Sequence, residues 1–519
     1  MELELAADLD AVAGLSRLKS LTASRDGRSR NSSIKIVWHD SPEHALFGDG
    51  LALAEQRGVW RLERIYPGSA TWLPGQPVPI VTEAPDRETL PSPLAPLAAF
   101  EGRQTTAVHL FDGQPVTITV AKGVLRAVTA EQPMARIWLS GEEQAVRQAA
   151  LLIAGAVPVK IPLVSLAAAG IALATGRQTA ERHSGAPVLP EGTSRSGDAL
   201  AHILGHLFDI IFAQADAFLR ADRKPAEAVH QMRVAVRRAR SALSIFRPAV
   251  PSGALDEAGT GLKQLGGLLG PNRDWDVFVD ETAPEIRKAM PNDDRLGRLI
   301  AAAGRRRAEC QKTLAIYLGS SAFRELGIEL AWFAAAGFWR APPVVANEAD
   351  TPPSPALADL PPVALAGLPP AVLADLPPAV LADSPPAVLA DFAGQVLQNR
   401  WKKLMSAGKK IEELDIPSLH GVRLRAKRAR YAAEMFASLH HGKAAHRFIR
   451  RLSALQQRLG VLNDGAVATH LLDELGGAGG RHAYATGLVT GFMAARAAKI
   501  RPRIVRAFRR FRRQNAYWT

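Results

Sequence analysis

Hydrophobic positions follow two rhythms along the chain. In residues 1–182, short runs such as Ile34–Trp38, Val59–Leu62 and Pro115–Val120 carry β-type residues. Each stops at Gly, Pro or Asp, as strands do at turns. Residues 141–156 have a helical composition, and 183–196, rich in Gly, Pro and Ser, read as a linker. From 197 to 519 the text is Ala-, Leu- and Arg-rich with helical periodicity. An α+β multidomain chain is expected: a strand-bearing domain over 1–182, the linker, and an all-α domain over 197–519.

Residues 342–393 interrupt the helical text. Leu368–Asp375, Leu376–Asp383 and Ser384–Asp391 repeat an octapeptide, and Leu360–Gly367 is a looser copy. Paired prolines at that spacing forbid a continuous helix. The segment is read as a disordered or extended insertion, with a docking segment for a partner as the rival reading.

The helical part contains a duplication. His230-Gln-Met-Arg233-Val-Ala-Val-Arg237-Arg238-Ala-Arg240, followed by Phe246, recurs 190 positions later as His420-Gly-Val-Arg423-Leu-Arg-Ala-Lys427-Arg428-Ala-Arg430, followed by Phe436. At the same offset Leu262, Leu265, Leu269, Gly270 and Asp274 match Leu452, Leu455, Leu459, Gly460 and Asp464. Each half is expected to hold a basic helix, then a second helix ending at Leu-Gly, with an Asp just beyond it. Two related helical halves about a pseudo-twofold axis follow.

Wound as a helix, the first motif puts His230, Arg233, Arg237 and Arg240 on one face and Met232, Val236, Ala239, Leu243 and Phe246 on the other. In the second, His420, Arg423, Lys427 and Arg430 oppose Val422, Ala426, Ala429, Ala433 and Phe436, while Arg238 and Arg428 sit on the flank. Like charges three and four residues apart repel by a few tenths of a kcal/mol per pair. No carboxylate at those spacings relieves them, whereas a ligand with regularly spaced negative charge would. Arginine's fork suits phosphate oxygens, and lysine supplies a point charge. A third basic stripe runs through Lys499, Arg503, Arg506, Arg510 and Arg513. Asp274, Asp276 and Asp464 are read as helix caps or braces for nearby arginines rather than metal ligands.

Charge distribution strengthens this reading. The chain of 519 residues carries +14 overall, yet residues 395–519 hold 25 Lys/Arg against 7 Asp/Glu. Positive charge gathered in one region favours a polyanion-binding surface over general solubility. A single cysteine, Cys310, excludes an intrachain disulfide framework and a cysteine-based zinc site. The longest uncharged apolar stretch, Ile161–Gly176, is 16 residues, below the roughly 18 to 20 needed to span a bilayer. The first residues carry acids where a signal peptide needs a basic region. A cytoplasmic protein without membrane contact is expected.

The segment Glu227–Arg240, together with Leu269–Val277 and the second motif over 420–436, resembles the signature of the CHAD family, the conserved-histidine α-helical domain. The resemblance covers 197–519. It implies a helical bundle of two pseudo-twofold-related halves that binds inorganic polyphosphate in a basic channel. The implied binding positions are His230, Arg233, Arg237, Arg238, Arg240, His420, Arg423, Lys427, Arg428 and Arg430, with Arg503, Arg506 and Arg510 from the third stripe. The 342–393 insertion departs from the family pattern.

The N-terminal region resembles a CYTH domain, an antiparallel β tunnel or barrel that handles triphosphates. The resemblance rests on Glu2-Leu-Glu4, His39–Leu46, Gly50–Leu53, Val157-Pro-Val and Ser165–Leu173. Ala6 stands where active members carry the lysine of Glu-x-Glu-x-Lys, and Ala54 and Gln56 replace a basic pair. Glu2 and Glu4 alone do not supply the oxygen ligands a divalent cation needs. A catalytically degenerate domain is therefore expected, with no catalytic residue, metal or cofactor.

The expected function is polyphosphate binding, linked to polyphosphate stores or granules. One alternative is a metal-dependent inorganic triphosphatase with the helical domain recruiting substrate. The other is a general polyanion or RNA binder; with aromatics at 6% and no row of stacking platforms in either motif, nucleic acid is the less favoured partner. Oligomeric state is not legible in the sequence.

Overall fold

The computed structural model describes residues 1–65, 75, 80–176, 185–220, 225–250, 253–336, 389–440 and 442–518. Residues 342–388 of the proline-rich segment lie outside the described residues, and residues 389–393 form the start of the next helix. That start is free of proline, and Leu389, Phe392 and Ala393 are buried, so the last repeat unit passes into folded structure.

The N-terminal part is a nine-stranded antiparallel sheet. Its strands are β1 (Glu2–Ala7), β2 (Arg25–Asp40), β3 (Leu51–Gln56), β4 (Val59–Arg64), β5 (Ile80–Glu83), β6 (Ala95–Phe111), β7 (Gln114–Ala127), β8 (Glu131–Gly141) and β9 (Val159–Lys160). Their order is β5-β4-β3-β2-β6-β7-β8-β1-β9. Three short helices, α1 (Leu9–Ala13), α2 (Lys19–Ala23) and α3 (Ala45–Gly48), fill the connections around β2. Asp112-Gly113 closes the β6–β7 hairpin and Arg57-Gly58 the β3–β4 hairpin, all four residues at positive φ. Two-residue turns of that shape match the twist of the strands they join.

The ladder is open. Among the described residues β5 does not pair with β9, so hydrogen bonding does not close the expected tunnel. At one edge β9 has only two residues, set between Pro158 and Pro162, which have no N–H to extend it. One face of the sheet packs on α4 (Glu143–Ala156), whose N-terminus is capped by the Glu142 carboxylate accepting from the Gln144 and Ala145 amides. The other face packs on α5 (Leu166–Thr175), where a Cβ at Gly170 would lie 3.2 Å from the Trp38 ring. Alternation along β1 sends Leu3 and Leu5 to the α4 side and Glu4 and Ala6 to the α5 side.

The helical part runs α6 (Ser196–Arg220), α7 (Pro225–Phe246), α8 (Gly253–Val277), a π-turn over Phe278–Thr282, α9 (Ala283–Ala289), α10 (Asp294–Leu318) and α11 (Ser321–Ala335). After the proline-rich segment come α12 (Leu389–Ala407), α13 (Ile416–Met435), α14 (Lys443–Glu474) and α15 (Ala483–Arg512). The two basic helices, α7 and α13, sit at the centre. Helix α7 packs between α6 and α8, and α13 between α12 and α14. The apolar faces read from both motifs are buried throughout. They meet through Phe246 and Phe436, with ring centroids 5.7 Å apart, and Phe392 of α12 stacks against both.

Neither second helix ends at Leu-Gly. Helix α8 continues through Gly270 and Pro271 to Val277, and α14 continues through Gly460 to Glu474. A proline in mid-helix removes a backbone donor. Here side chains serve the neighbouring carbonyls: Arg233 donates to Gly270 O at 3.0 Å and Asn272 to Leu268 O at 2.9 Å.

Sheet and helices share one core. Helix α4 packs on α11, and the buried set runs from Leu5 and Ile137 through Ile153 and Phe333 to Phe246. At its edge Arg147 donates to Glu329 at 2.8 Å and to Glu257 at 2.9 Å, with its guanidinium 4.5 Å above the Trp332 ring. Trp332 Nε1 in turn donates to Glu143 O. No helix among the described residues is long and apolar enough to cross a membrane.

Candidate functional site

A cleft of about 170 Å³ opens where α7 and α8 of the first half face α13 and α14 of the second. His230, Arg233 and Arg237 enter it from α7, Arg273 and Asp274 from α8, Arg423 from α13, and Asn463 and Asp464 from α14. Its floor is apolar, made by Val277, Phe278, Val467, Ala468 and Leu471. The floor belongs to a small core in which Trp275, Phe278 and Ile286 pack against Leu471, Val489 and Met493. Phe278 and Thr282 reach the cleft from the π-turn, a distortion that often re-aims side chains at functional sites.

Three cleft arginines are braced, Arg273 among them through Glu281 at 2.9 Å. Arg233 donates to Asp274 at 2.8 Å, and Arg423 donates to Asn463 at 3.0 Å. Asp274 thus acts as the arginine brace read from the sequence, placed within α8 and not as a cap. Two cations have less: Arg237, which lines the cleft, and Lys427, which stands near Arg237 outside the lining. Neither Arg237 nor Lys427 has a carboxylate within ion-pair distance among the described residues, and Arg237 Nε is buried without a partner. Burial, reinforced by Arg237, Arg423, Arg233 and Arg430, pushes the Lys427 ammonium down to about 7. Burial also lowers Arg237, with further repulsion from Arg233, Arg423 and Arg430. His230 is lowered by burial first and by Arg273 next. Four arginines against two carboxylates, Asp274 and Asp464, leave the cleft an excess of positive charge in a partly dry place, where attraction for an anion is strengthened.

Several sequence candidates lie elsewhere. Arg238 is interior: it donates to Glu434 at 2.7 Å and to Gly185 O at 2.8 Å, with both ion-pair side chains only 9% exposed. It ties α7 to α13 and cannot meet a ligand. His420 is exposed outside the cleft, so the two histidines are not equivalent. Arg240 is exposed beside Gly266 of α8, away from the cleft lining. Arg430 stands beside Lys427 and interacts with Glu434 at 3.6 Å and with Ser453 at 3.4 Å.

Arg503, Arg506 and Arg510, with Arg513, line one wall of a second groove of about 780 Å³. The other wall is α14, which adds Arg451 and Arg458. Sequence reasoning does not single out those two, although their seven-residue spacing places them on one helix face. Arg428 opens into a third groove, between α12 and α13, with Arg400, Lys402, Lys403 and Arg425.

In the sheet domain, Glu4 is buried and held by Arg136 Nε at 2.9 Å. Glu63 on the same side is pushed up to about 7 by burial. Among the described residues no group of three or more His, Cys, Asp or Glu side chains is placed to hold a metal ion.

Comparison with known proteins bears on the helical part. A search of curated proteins returned no match. Among solved structures, the CHAD domain from the plant Ricinus communis is similar at 25% identity, over 66% of this chain and 99% of that one, with a TM-score of 0.48. PptA from Streptomyces chartreusis is similar at 18% identity, over 61% of this chain and all of that one, with a TM-score of 0.37. The family description that matches the sequence is the CHAD domain, over residues 202–473. That match spans more than half of the chain and contains both basic helices, α7 and α13: the protein belongs to the CHAD-domain family.

Proposed function

We propose that this protein binds inorganic polyphosphate, with the cleft between α7 and α13 as its principal site. Arg233, Arg237, Arg423, Lys427 and Arg430 supply the positive charge, and His230 becomes a further donor when protonated. The observation that carries the reading is the unpaired state of Arg237 and Lys427. Two half-buried cations without carboxylates cost stability, and a chain of phosphates offsets that cost. Arg503, Arg506 and Arg510 extend the binding surface along α15. The paired basic helices agree with two halves related by a pseudo-twofold axis, and binding would tie the protein to polyphosphate stores.

The sheet domain we read as a degenerate CYTH-like domain with a packing role. Glu4, the acid that would serve a metal, is paired with Arg136 and buried beside Trp138. A triphosphate would have to displace that packing before reaching it. This argues against the triphosphatase reading.

The test is binding of long-chain polyphosphate to the full chain near physiological salt of about 150 mM, with single-stranded RNA as competitor. Arg237→Gln with Lys427→Gln should weaken binding at least tenfold. It should also make the dependence on salt shallower, by a slope of about 0.7 for each phosphate no longer neutralised. Unchanged binding by this variant, or equal displacement by RNA, would overturn the assignment.

A further inference from the structure

The groove between α12 and α13 belongs to neither the central cleft nor the α15 stripe. Five cations converge on it: Arg400, Lys402 and Lys403 from α12, and Arg425 and Arg428 from α13. It measures about 760 Å³, and no carboxylate lines it. None of the five forms an ion pair among the described residues. Arg400 is half-buried, and burial together with Arg428 holds its guanidinium below its ordinary value. Gly421 leaves the groove floor bare, and the Arg425 guanidinium lies 3.1 Å from where a Cβ would stand. No aromatic ring lines the groove, so it offers a phosphate chain charge but gives a nucleobase nothing to stack on.

Its position matters as much as its charge. Helices α12 to α15 form a ring: α12 packs on α13, α13 on α14, α14 on α15, and α15 returns to α12 through Phe511 against Trp401 at 5.2 Å. In such a ring the α12–α13 groove and the arginine groove of α14 and α15 open on opposite flanks. The α12–α13 groove shares no lining residue with that groove or with the central cleft.

We propose that the α12–α13 groove is a second polyphosphate site that takes a different segment from the one in the central cleft, so that a single molecule cross-links polyphosphate. The inference rests on the polyphosphate reading and adds to it a valence greater than one. Linear anions held at separate sites become a network, because each additional chain contact is made at high effective concentration.

The experiment compares the full-length protein with K402Q/K403Q/R425Q, which changes exposed groove residues and leaves the cleft intact. Calorimetric titration with a polyphosphate too short to pass around the bundle reads stoichiometry. Light scattering with long-chain polyphosphate reads cross-linking. The wild type should bind more than one short chain and scatter strongly near charge equivalence. The variant should lose one site, keep the affinity of the remaining one within twofold, and scatter several-fold less. Unchanged stoichiometry and scattering in a folded variant would overturn the second site and leave the central cleft standing. No binding by the wild type would instead sink the polyphosphate reading itself. Loss of RNA binding, with polyphosphate stoichiometry unchanged, would assign the groove to another polyanion and overturn the proposal.

Discussion

Lys427 is not a lining residue of the cleft, but it stands close enough to Arg233, Arg237 and Arg423 to register their combined charge in one titrating group. Its ammonium titrates at about 7 in the free protein against an ordinary 10.5, because burial and four arginines oppose its charge. Between those values the unfolded chain holds a proton that the folded chain lacks, so this group makes stability rise with pH across that window. Below about 7 both states are protonated and the cost of burying the charge is fully present. A bound polyanion reverses the balance by favouring the charged form, so binding takes up a proton. Affinity for polyphosphate should therefore tighten as pH falls from 9 towards 7, by up to about tenfold per pH unit for one proton. His230, also lowered, extends the trend to lower pH. Lys427→Arg, charged throughout, should flatten the part of the profile near neutrality. Titrations at constant ionic strength check this, and an unchanged profile in Lys427→Arg would remove Lys427 from the site.

At the scale of elements, the α7–α13 pair is both the proposed binding unit and a structural joint. Arg238 and Glu434 form a buried ion pair across it. Removing one partner strands the other, at a cost of about 3–5 kcal/mol. Arg238→Ala should lower the urea midpoint strongly while leaving polyphosphate affinity of the folded protein near wild type. A loss of affinity without a loss of stability would return Arg238 to the ligand surface.

The same pair shows what a sequence can and cannot disclose. The apolar faces of both helices are legible because amphipathic periodicity is a property of one helix by itself. The functional faces are legible only in part. Arg233, Arg237 and Arg423 reach the cleft as their spacing suggests, but Arg238 finds Glu434, a partner 196 residues away. His230 and His420 look equivalent in the sequence, yet only His230 lines the cleft while His420 is exposed outside it. Arg451 and Arg458 matter only because α15 lies alongside, and no single helix announces its neighbour. The helices running through Gly270-Pro271 and Gly460 show tertiary contacts overriding local breakers.

As a whole, the molecule is bound together by the contact of α4 with α11. Arg147 is held there by Glu257, Glu329 and the Trp332 ring. A core continuous across that boundary predicts a single cooperative unfolding transition for sheet and helices by calorimetry. Two well-separated transitions would show that they melt independently. Arg147→Ala should lower the midpoint by a few degrees, since about 1 kcal/mol shifts a chain of this size by roughly 2–4 °C or less. Polyphosphate binding at lower temperature should be unaffected.

The α4–α11 contact also governs how the chain can change through descent. The α4 side of the sheet serves as a wall of the helical core, while its α5 side closes a separate core around Trp38 and Phe100. Glu4 and Arg136 can change only together, because removing one partner strands the other in the interior. Arg147, Glu329 and Trp332 are tied across two domains and must change in concert. A lineage that discarded the sheet domain would have to repaint the exposed flank of α11 with polar residues.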